Sequence, residues 1–186
     1  MNPSSDHDDA TLARFARDGS CAAFGELIHR HHERVFGFLL ALTRHREDAE
    51  DLTQETFLRA WKKIHRYDPS LPMLPWLLTM ARRLSIAALR RKRPLPETIA
   101  EETAPPNNHA ARLWELAKRQ LAPIAYQALW LHYREELPLK QVAEVLGKRE
   151  GAVKVILHRA RKTLSESARA PETAPDHLPQ PEFPIP

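Results

Sequence analysis

Helical periodicity in the stretch 46–93 constrains the fold more than any other feature of the chain. Between positions 49 and 64, small and apolar side chains recur at helical spacing, which places them on one face of a helix. These residues are Ala49, Leu52, Thr53, Thr56, Phe57, Ala60, Trp61 and Ile64. The opposite face is largely acidic and polar and includes one leucine, Leu58. Spacing alone favours an ordinary solvated face with one exposed leucine, and the alternative is a face that docks on a basic partner.

The same spacing recurs along the chain, and no segment alternates polar and apolar residues as a strand would. The predicted fold class is all-α. Helices are expected over 10–17, from Ser20 as N-cap to about 43, and over 46–65, 76–92, 112–122, 124–133, 139–146 and about 150–167. A loop over 67–75 holds Pro69, Pro72 and Pro75, which restrict the backbone and remove hydrogen-bond donors.

Proline content divides the chain into two small helical domains. Positions 94–110 contain four prolines, three acids and little apolar content, so they are predicted to form a flexible linker. The predicted domains span 10–93 and 111–167, with disordered segments at 1–9 and, rich in proline, at 168–186. For the tail we also keep the hypothesis of a regulatory extension that docks on the first domain or on another protein.

Charge and cysteine content limit the class of protein. The 186 residues carry a net charge of +4, and basic residues cluster at 82–93 and 148–162, which indicates a polyanionic partner such as nucleic acid. The single cysteine, Cys21, excludes an internal disulfide and a cysteine-based zinc site. No apolar run approaches the ~20 residues of a membrane span, and the acidic N-terminus does not resemble a secretory signal. We expect a cytoplasmic protein without membrane insertion.

Two short helices around Gly147, the second of them basic, predict a helix-turn-helix over about 139–164. Gly147 is a natural left-handed end for the first helix. The start and outer face of the second helix would enter the major groove of DNA. The predicted contacts are Lys148, Arg149, Glu150, Ala152, Lys154, Val155, His158 and Arg161.

These segments, in this order, resemble the extracytoplasmic-function sigma factors of the sigma-70 family. EDAEDLTQETFLRAW is similar to the family's polymerase-binding segment, and WLLTMARRLSIAALRRKR to its promoter-melting helix. LPLKQVAEVLGKREGAVKVILHRARKTL resembles its promoter-reading hairpin. The resemblance implies region 2 in the first domain and region 4 in the second, with core RNA polymerase and promoter DNA as partners. It also implies an anti-sigma factor.

The resemblance assigns roles to particular residues. Contacts to core polymerase are expected from Asp48, Asp51, Gln54, Glu55 and Leu58. The minus-ten element is expected to meet a base pocket in the loop, with Tyr67 and Met73, and phosphate-binding arginines. The full minus-ten set is Arg66, Tyr67, Met73, Arg82, Arg83, Arg90 and Arg91. Melting requires no catalytic residue and no cofactor, because binding the single strand better than the duplex shifts the equilibrium.

Several positions depart from the family pattern. Arg83 and Ala87 replace the usual Asn and Asp, and the loop before Trp76 is about one residue short. In the recognition helix, Ala152, Val155 and Ile156 stand for the usual Thr, Ser and Arg. Arg149 occupies a position where a serine N-cap is common, at a cost of about 1 kcal/mol. These departures predict divergent promoter specificity, with weak autonomous DNA binding as the alternative.

Two other functions would use parts of this sequence. A helix-turn-helix regulator that acts without polymerase would leave the acidic helix and the basic group at 82–93 unexplained. A metal-dependent enzyme would use the histidine group near position 31, but no HExxH order is present. That group comprises His29, His31, His32 and Glu33. We therefore predict no metal site and no enzymatic activity.

Overall fold

The computed structural model describes residues 7–91 and 109–169, and all regular structure within them is helical. The predicted all-α class is confirmed. The α-helices of these ranges are α1 (Asp9–Arg17), α2 (Cys21–Thr43), α3 (Arg46–Lys63), α4 (Met73–Arg91), α5 (His109–Gln120), α6 (Pro123–Leu129), α7 (Leu139–Leu146) and α8 (Glu150–Arg169). A 3-10 turn (Ile64–Arg66) follows α3, and a π-helical turn (Trp130–Arg134) follows α6.

Most of the segments predicted to lack structure lie outside the described residues. These are positions 1–6, 94–108 of the linker and 170–186 of the tail. At the edges the helices reach further than predicted, because α1 begins at Asp9, α5 at His109, and α8 ends at Arg169. The start of α1 has a local cause: the Asp8 carboxylate accepts a hydrogen bond of 2.8 Å from the backbone N–H of Thr11.

The first helical unit, α1–α4, has the core that periodicity predicts for α3. Six of the eight predicted residues are buried, and Leu52 and Trp61 are half-buried. Ser20 caps α2 as predicted, since its hydroxyl accepts from the backbone N–H of Ala23 at 3.2 Å. The predicted start of α4 at Trp76 is wrong, because the helix begins at Met73. Pro75 is tolerated there because the first-turn N–H groups of a helix have no intrahelical acceptor.

The second helical unit, α5–α8, confirms the predicted hairpin. Gly147 ends α7 in the left-handed conformation, with a φ of 62°. In α8 the face opposite the predicted DNA contacts is buried at Val153, Leu157 and Ala160. Pro123 opens α6. The predicted helix over 124–133 is interrupted, since α6 ends at Leu129 and the π-helical turn continues the chain.

The two units pack against each other, which the sequence reasoning did not predict. Helix α4 lies against α2 and α3 on one side and also contacts α7 of the second unit. A helix with neighbours on two sides must bury more than one row of side chains, and α4 does. Besides the row Leu77, Ala81 and Leu84, it buries Leu74, Leu78 and Ser85.

Candidate docking groove and nucleic-acid interface

An apolar groove of about 490 Å3 runs between α2 and α3, and we call it the docking groove. Leu58 lies on its α3 side and leaves 55% of its surface exposed, although the neighbouring Phe57 is buried. Gln54 lines the same groove. The other lining residues are Cys21, Phe24, Gly25, Ile28, His32, Thr53, Phe57 and Trp61.

Aromatic contacts between the two helices form the floor of the docking groove. The rings of Phe24 and Trp61 lie with their centroids 5.0 Å apart. His32 stacks on Phe57 with a centroid distance of 6.3 Å and an interplanar angle of 11°. Gly25 adds width, because no heavy atom of another residue would contact a β-carbon at that position. The groove therefore has a firm apolar floor and room for a partner's side chain.

The α2 side of the docking groove was missed at the sequence level. Phe24 and Ile28 belong to the apolar face of α2, and helical spacing by itself predicts only that this face packs in the core. The sequence signal for this side of the groove was Gly25, a glycine inside a long helix. Such a glycine lowers helix stability by about 0.5–1 kcal/mol relative to alanine, which suggests a need for open space at that position. The exposed side chains of Cys21 and His32 give the rim its polar character.

The acidic residues of α3 that are predicted to bind polymerase lie outside the docking groove that Leu58 lines. Asp48 and Asp51 border a smaller cavity of about 150 Å3 between α3 and α4, whose apolar wall includes Leu52 and the exposed Leu89. Glu55 is half-buried and lies 2.5 Å from the Nε of Arg59, which offsets part of its charge. Four of the five predicted polymerase-binding residues thus line two concave places: Gln54 and Leu58 line the docking groove, and Asp48 and Asp51 line the smaller cavity.

Tyr67 and Met73 do not lie where a base pocket needs them. Their exposed fractions are 3% and 2%, so both belong to the core of the first unit. The Tyr67 hydroxyl donates to the backbone carbonyl of Leu71, and its ring lies 4.9 Å from that of Trp76. Burial raises the pKa of Tyr67 to about 12, since the phenolate form would lose its hydration. Burial in this structure argues against direct contact of either side chain with a flipped base.

The loop between Tyr67 and Met73 instead presents Leu71, which is 59% exposed. The loop is held in shape locally: the Asp68 carboxylate accepts from the Ser70 backbone N–H at 2.9 Å and from its hydroxyl at 2.8 Å. These two hydrogen bonds hold the pKa of Asp68 below its ordinary value. Leu71 is an apolar residue between polar and proline neighbours, and that was the sequence signal for it. The predicted Arg66 is exposed beside this loop.

The arginines of α4 fall into two groups. Arg83, Arg90 and Arg91 are exposed, as a phosphate-binding surface requires. Arg82 is half-buried, and its Nε donates to the Oε1 of Gln127 in the second unit at 2.9 Å. Burial, with a smaller contribution from Arg83, lowers the pKa of the Arg82 guanidinium.

All predicted minus-thirty-five contacts lie on the outer surface of the second unit. Each of the eight residues is exposed, including Val155 at 48%. The position of Gly147 directs the chain into α8 with Lys148 and Arg149 at its start. Lys154 forms an ion pair of 3.0 Å with Glu150 one turn earlier, which pre-orients both side chains on this face. The arrangement matches a recognition helix whose N-terminal turns are free to enter a groove.

The side chains of the histidine group have different partners. The described part of the chain contains no cluster of three or more His, Cys, Asp or Glu side chains that could hold a metal ion. His31 is directed to Asp9, and His32 stacks between aromatic rings. In the same described residues, no helix is both long and apolar enough to cross a membrane.

Comparison with known families and proteins assigns both units. The model for Sigma-70 region 2 matches residues 27–94, and the model for Sigma-70, region 4 matches residues 112–164. The RNA polymerase sigma factor CarQ of Myxococcus xanthus is 34% identical over 83% of this chain and 94% of its own length. The ECF RNA polymerase sigma factor SigM of Bacillus subtilis is 32% identical over 75% of this chain and 91% of its own length.

Solved structures show the same fold. CnrH, in complex with the cytosolic domain of CnrY, aligns with a TM-score of 0.68 at 27% identity, covering 88% of this chain and 98% of that one. The sigma factor RpoE, in complex with the anti-sigma factor NepR from Bartonella quintana, aligns at 0.63 and 19% identity, covering 80% and 98%. With both regions matched in order and relatives above 30% identity, this chain belongs to the extracytoplasmic-function group of sigma-70 RNA polymerase sigma factors.

Proposed function

We propose that this sigma factor binds core RNA polymerase through the docking groove, opens the minus-ten element with α4 and the loop before it, and reads the minus-thirty-five element with α8. The observation that carries the docking assignment is Leu58, an exposed leucine at the edge of an apolar groove. Region 2 spans about 10–93 and region 4 about 111–167 in this proposal.

The docking groove suits a partner that offers an apolar side chain with basic groups around it. Phe24, Phe57 and Trp61 give the apolar floor, and burying Leu58 there removes its surface from water. Asp48 and Asp51 lie about two to three turns before Leu58 in α3 and would attract positive charge on the same partner. Glu55, which already pairs with Arg59, contributes less to that attraction.

Promoter opening is a binding effect in this proposal. Arg83 and Arg90 are seven positions apart, which places them on the same side of α4 about 10 Å apart, and both are exposed. They would hold phosphates of the separated strand. Leu71, rather than Tyr67 or Met73, would contact an unstacked base, because apolar side chains inserted at base steps favour unstacked DNA. Tyr67 would hold Leu71 in position, because its hydroxyl donates a hydrogen bond to the backbone carbonyl of Leu71.

Reading of the minus-thirty-five element rests on the exposed face of α8. Lys148 and Arg149 lie where a recognition helix meets base edges, and arginine or lysine there can pair with guanine. Val155 offers a methyl contact to thymine. Arg161 lies further along α8 and suits a phosphate contact.

The partners and location follow from this role. The two structural neighbours are complexes, with CnrY and with the anti-sigma factor NepR, and we propose that an anti-sigma factor also binds this chain. The protein would act in the cytoplasm, where polymerase and DNA are found. It would supply binding energy and no catalysis of its own.

Co-elution with core polymerase, followed by run-off transcription on genomic fragments, tests the proposal. We expect a stable complex and transcripts that start at a small set of promoters. A helix-turn-helix regulator that acts without polymerase would bind DNA fragments but would not co-elute with the core enzyme. That outcome would contradict the proposed function.

A further inference from the structure

The docking groove has the kind of surface that binds proline-rich segments. Aromatic rings from both helices line it: Phe24, His32, Phe57 and Trp61. Grooves lined by aromatic rings bind PxxP segments, because proline restricts the backbone and such a segment loses little conformational entropy on binding. The groove volume of about 490 Å3 leaves room for more than one apolar side chain.

A segment of this composition follows α8 in the same chain. Positions 170–186 contain six prolines, three acids and no lysine or arginine. Residues 181–184 read PEFP, which matches the PxxP pattern, and two apolar side chains, Phe183 and Ile185, stand between prolines. These positions, which we call the tail segment, lie outside the described residues.

The end of α8 lies close to the end of α2. The Ser167 hydroxyl, near the end of α8, donates to the Oε1 of Gln120, the last residue of α5. Two residues earlier in α5, the backbone carbonyl of Lys118 accepts a hydrogen bond of 2.9 Å from Arg44. Arg44 lies between α2 and α3, so these two contacts bring the start of the tail segment beside the first helical unit.

The docking groove is within reach of the tail segment. Gln54, one of the first α3 residues to line the groove, follows Arg44 by ten positions, which corresponds to about 15 Å of helix. The thirteen residues 170–182 span about 40 Å in the polyproline II conformation. That length is enough to bring Phe183 into the groove.

Charge favours the docking groove over the smaller cavity between α3 and α4. Asp48 and Asp51 line that cavity and would repel a segment that carries three acids and no lysine or arginine. None of the described residues that line the docking groove is acidic. The exposed Lys62 follows Leu58 by one helical turn, so it can attract a carboxylate of the tail segment.

We propose that the tail segment docks in the docking groove of its own chain and excludes core polymerase from it. Phe183 packs on the aromatic floor, and Glu182 lies towards Lys62. Docking removes the exposed apolar surface of Leu58 from water in the free protein. Polymerase, which binds only the open groove, shifts the population towards the undocked form. The proposal rests on the proposed function, since it assumes that polymerase binds this groove.

The competition has a measurable size. If the groove is filled in about nine molecules in ten, the apparent affinity for core polymerase falls about tenfold, and a variant that cannot dock recovers it. A short tether gives the tail segment an effective concentration of about 1 mM. The same occupancy then corresponds to a Kd of about 0.1 mM for the free segment.

Cys21 provides a direct measure of occupancy, because it lines the groove, is exposed and is the single cysteine of the chain. The test follows its alkylation by iodoacetamide in the full chain. We expect Phe183→Ser with Ile185→Ser to raise the rate up to about tenfold. A synthetic peptide of residues 170–186 at about 1 mM should protect Cys21 of this double variant again.

Two controls separate docking from general effects. Gln180→Ser changes a polar position of the same segment and should leave the alkylation rate as in the wild type. Glu144→Cys in a Cys21→Ser background places the thiol at an exposed position of α7 that does not line the groove. Its alkylation rate should be the same with and without the Phe183 and Ile185 substitutions.

Titration of labelled core polymerase tests the competition itself. The Phe183→Ser, Ile185→Ser variant should bind up to about tenfold more tightly than the wild type, and Gln180→Ser should bind as the wild type does. Faster alkylation of Cys21 without a gain in polymerase affinity overturns the competition.

Equal alkylation of Cys21 in the wild type and the double variant overturns the proposal. Protection that increases with protein concentration also overturns it, because the occupant would then be a second copy of the chain. Leu58→Glu and Leu89→Glu locate the docking site, since the two leucines are similarly exposed, 55% and 53%. Protection that is lost in Leu89→Glu and kept in Leu58→Glu would place the segment at the smaller cavity and contradict the proposal.

The same measurements separate this proposal from the proposed function. If Leu58→Glu weakens polymerase binding while the double variant behaves as wild type in both assays, the proposed function stands and the docked tail segment alone is wrong. If neither the wild type nor the double variant binds core polymerase, the proposed function fails, and the competition fails with it. The alkylation rates then decide separately whether the tail segment docks.

Discussion

The Oδ2 of Asp9 lies 2.6 Å from the Nε2 of His31, and this contact fastens the short helix α1 to α2. Hydrogen bonding to His31 lowers the pKa of Asp9 below 3.8, with Arg30 contributing further. A depressed folded-state pKa gives stability that is complete above the unfolded value and is lost as the pH falls through the folded value.

We therefore expect Asp9→Asn to lower the free energy of unfolding by about 1–2 kcal/mol at pH 7. The difference from wild type should shrink as the pH falls below ~4, because the unfolded carboxylate protonates there while the folded one is protonated only at lower pH. Urea unfolding at several pH values measures it. Asp18→Asn is the control at an exposed aspartate after α1, and a difference equal to that of Asp9→Asn at every pH would contradict the assignment.

Leu58→Glu should weaken binding to core polymerase by about 1–3 kcal/mol, because it places a charge at the edge of an apolar groove. Leu71→Glu is the matched control, since Leu71 is exposed to nearly the same extent, 59% against 55%, on a different surface. Titration of labelled core enzyme measures the affinity. Equal losses for both substitutions would remove the docking groove from the polymerase interface.

Leu71→Ala should slow open-complex formation while leaving polymerase binding unchanged, because it removes the exposed apolar side chain of the loop. Tyr67→Phe is expected to lower stability by about 1 kcal/mol through its lost hydrogen bond, with little effect on opening of correctly folded protein. Permanganate footprinting of the minus-ten region follows opening. A stronger defect for Tyr67→Phe than for Leu71→Ala would restore Tyr67 as the base contact.

Arg149→Ser should raise the stability of the fold while weakening recognition of the promoter. Arg149 immediately precedes α8, and serine at a helix N-cap is expected to raise the free energy of unfolding by about 0.5–1 kcal/mol. The same substitution should cost about 1–3 kcal/mol at one base position if Arg149 reads a base. Thermal melting and binding to a panel of single-base promoter variants measure the two effects. A uniform loss across the panel would instead identify a phosphate contact.

Arg90→Ala with Arg91→Ala should reduce the salt dependence of DNA binding. Losing two phosphate contacts on a single strand lowers the slope of log K against log salt by about 1.4. Lys62→Ala with Lys63→Ala removes the same charge from exposed positions on α3 and serves as the control. If both pairs change the slope equally, the effect belongs to net charge and not to the surface of α4.

Local sequence was enough to predict which face of each helix turns inward. The buried residues of α3, the Ser20 cap and the left-handed Gly147 each depend on neighbours within about one or two turns of helix. The exposed face of α8 follows in the same way, because Val153, Leu157 and Ala160 determine which side is buried. The resemblance then supplied the family, and the relatives above 30% identity confirm it.

Tertiary structure decided which surfaces remain available. The docking groove needs Phe24 and Trp61 from two helices, and no local pattern shows that they meet. The sequence places Tyr67 and Met73 in a proline-rich loop and suggests that they could contact DNA, but both are buried. The sequence predicts the same phosphate-binding role for Arg82 and Arg83, but Arg82 donates a hydrogen bond to Gln127, 45 positions away. Periodicity encodes which side of a helix is buried, whereas the identity of its neighbour depends on how the whole chain packs.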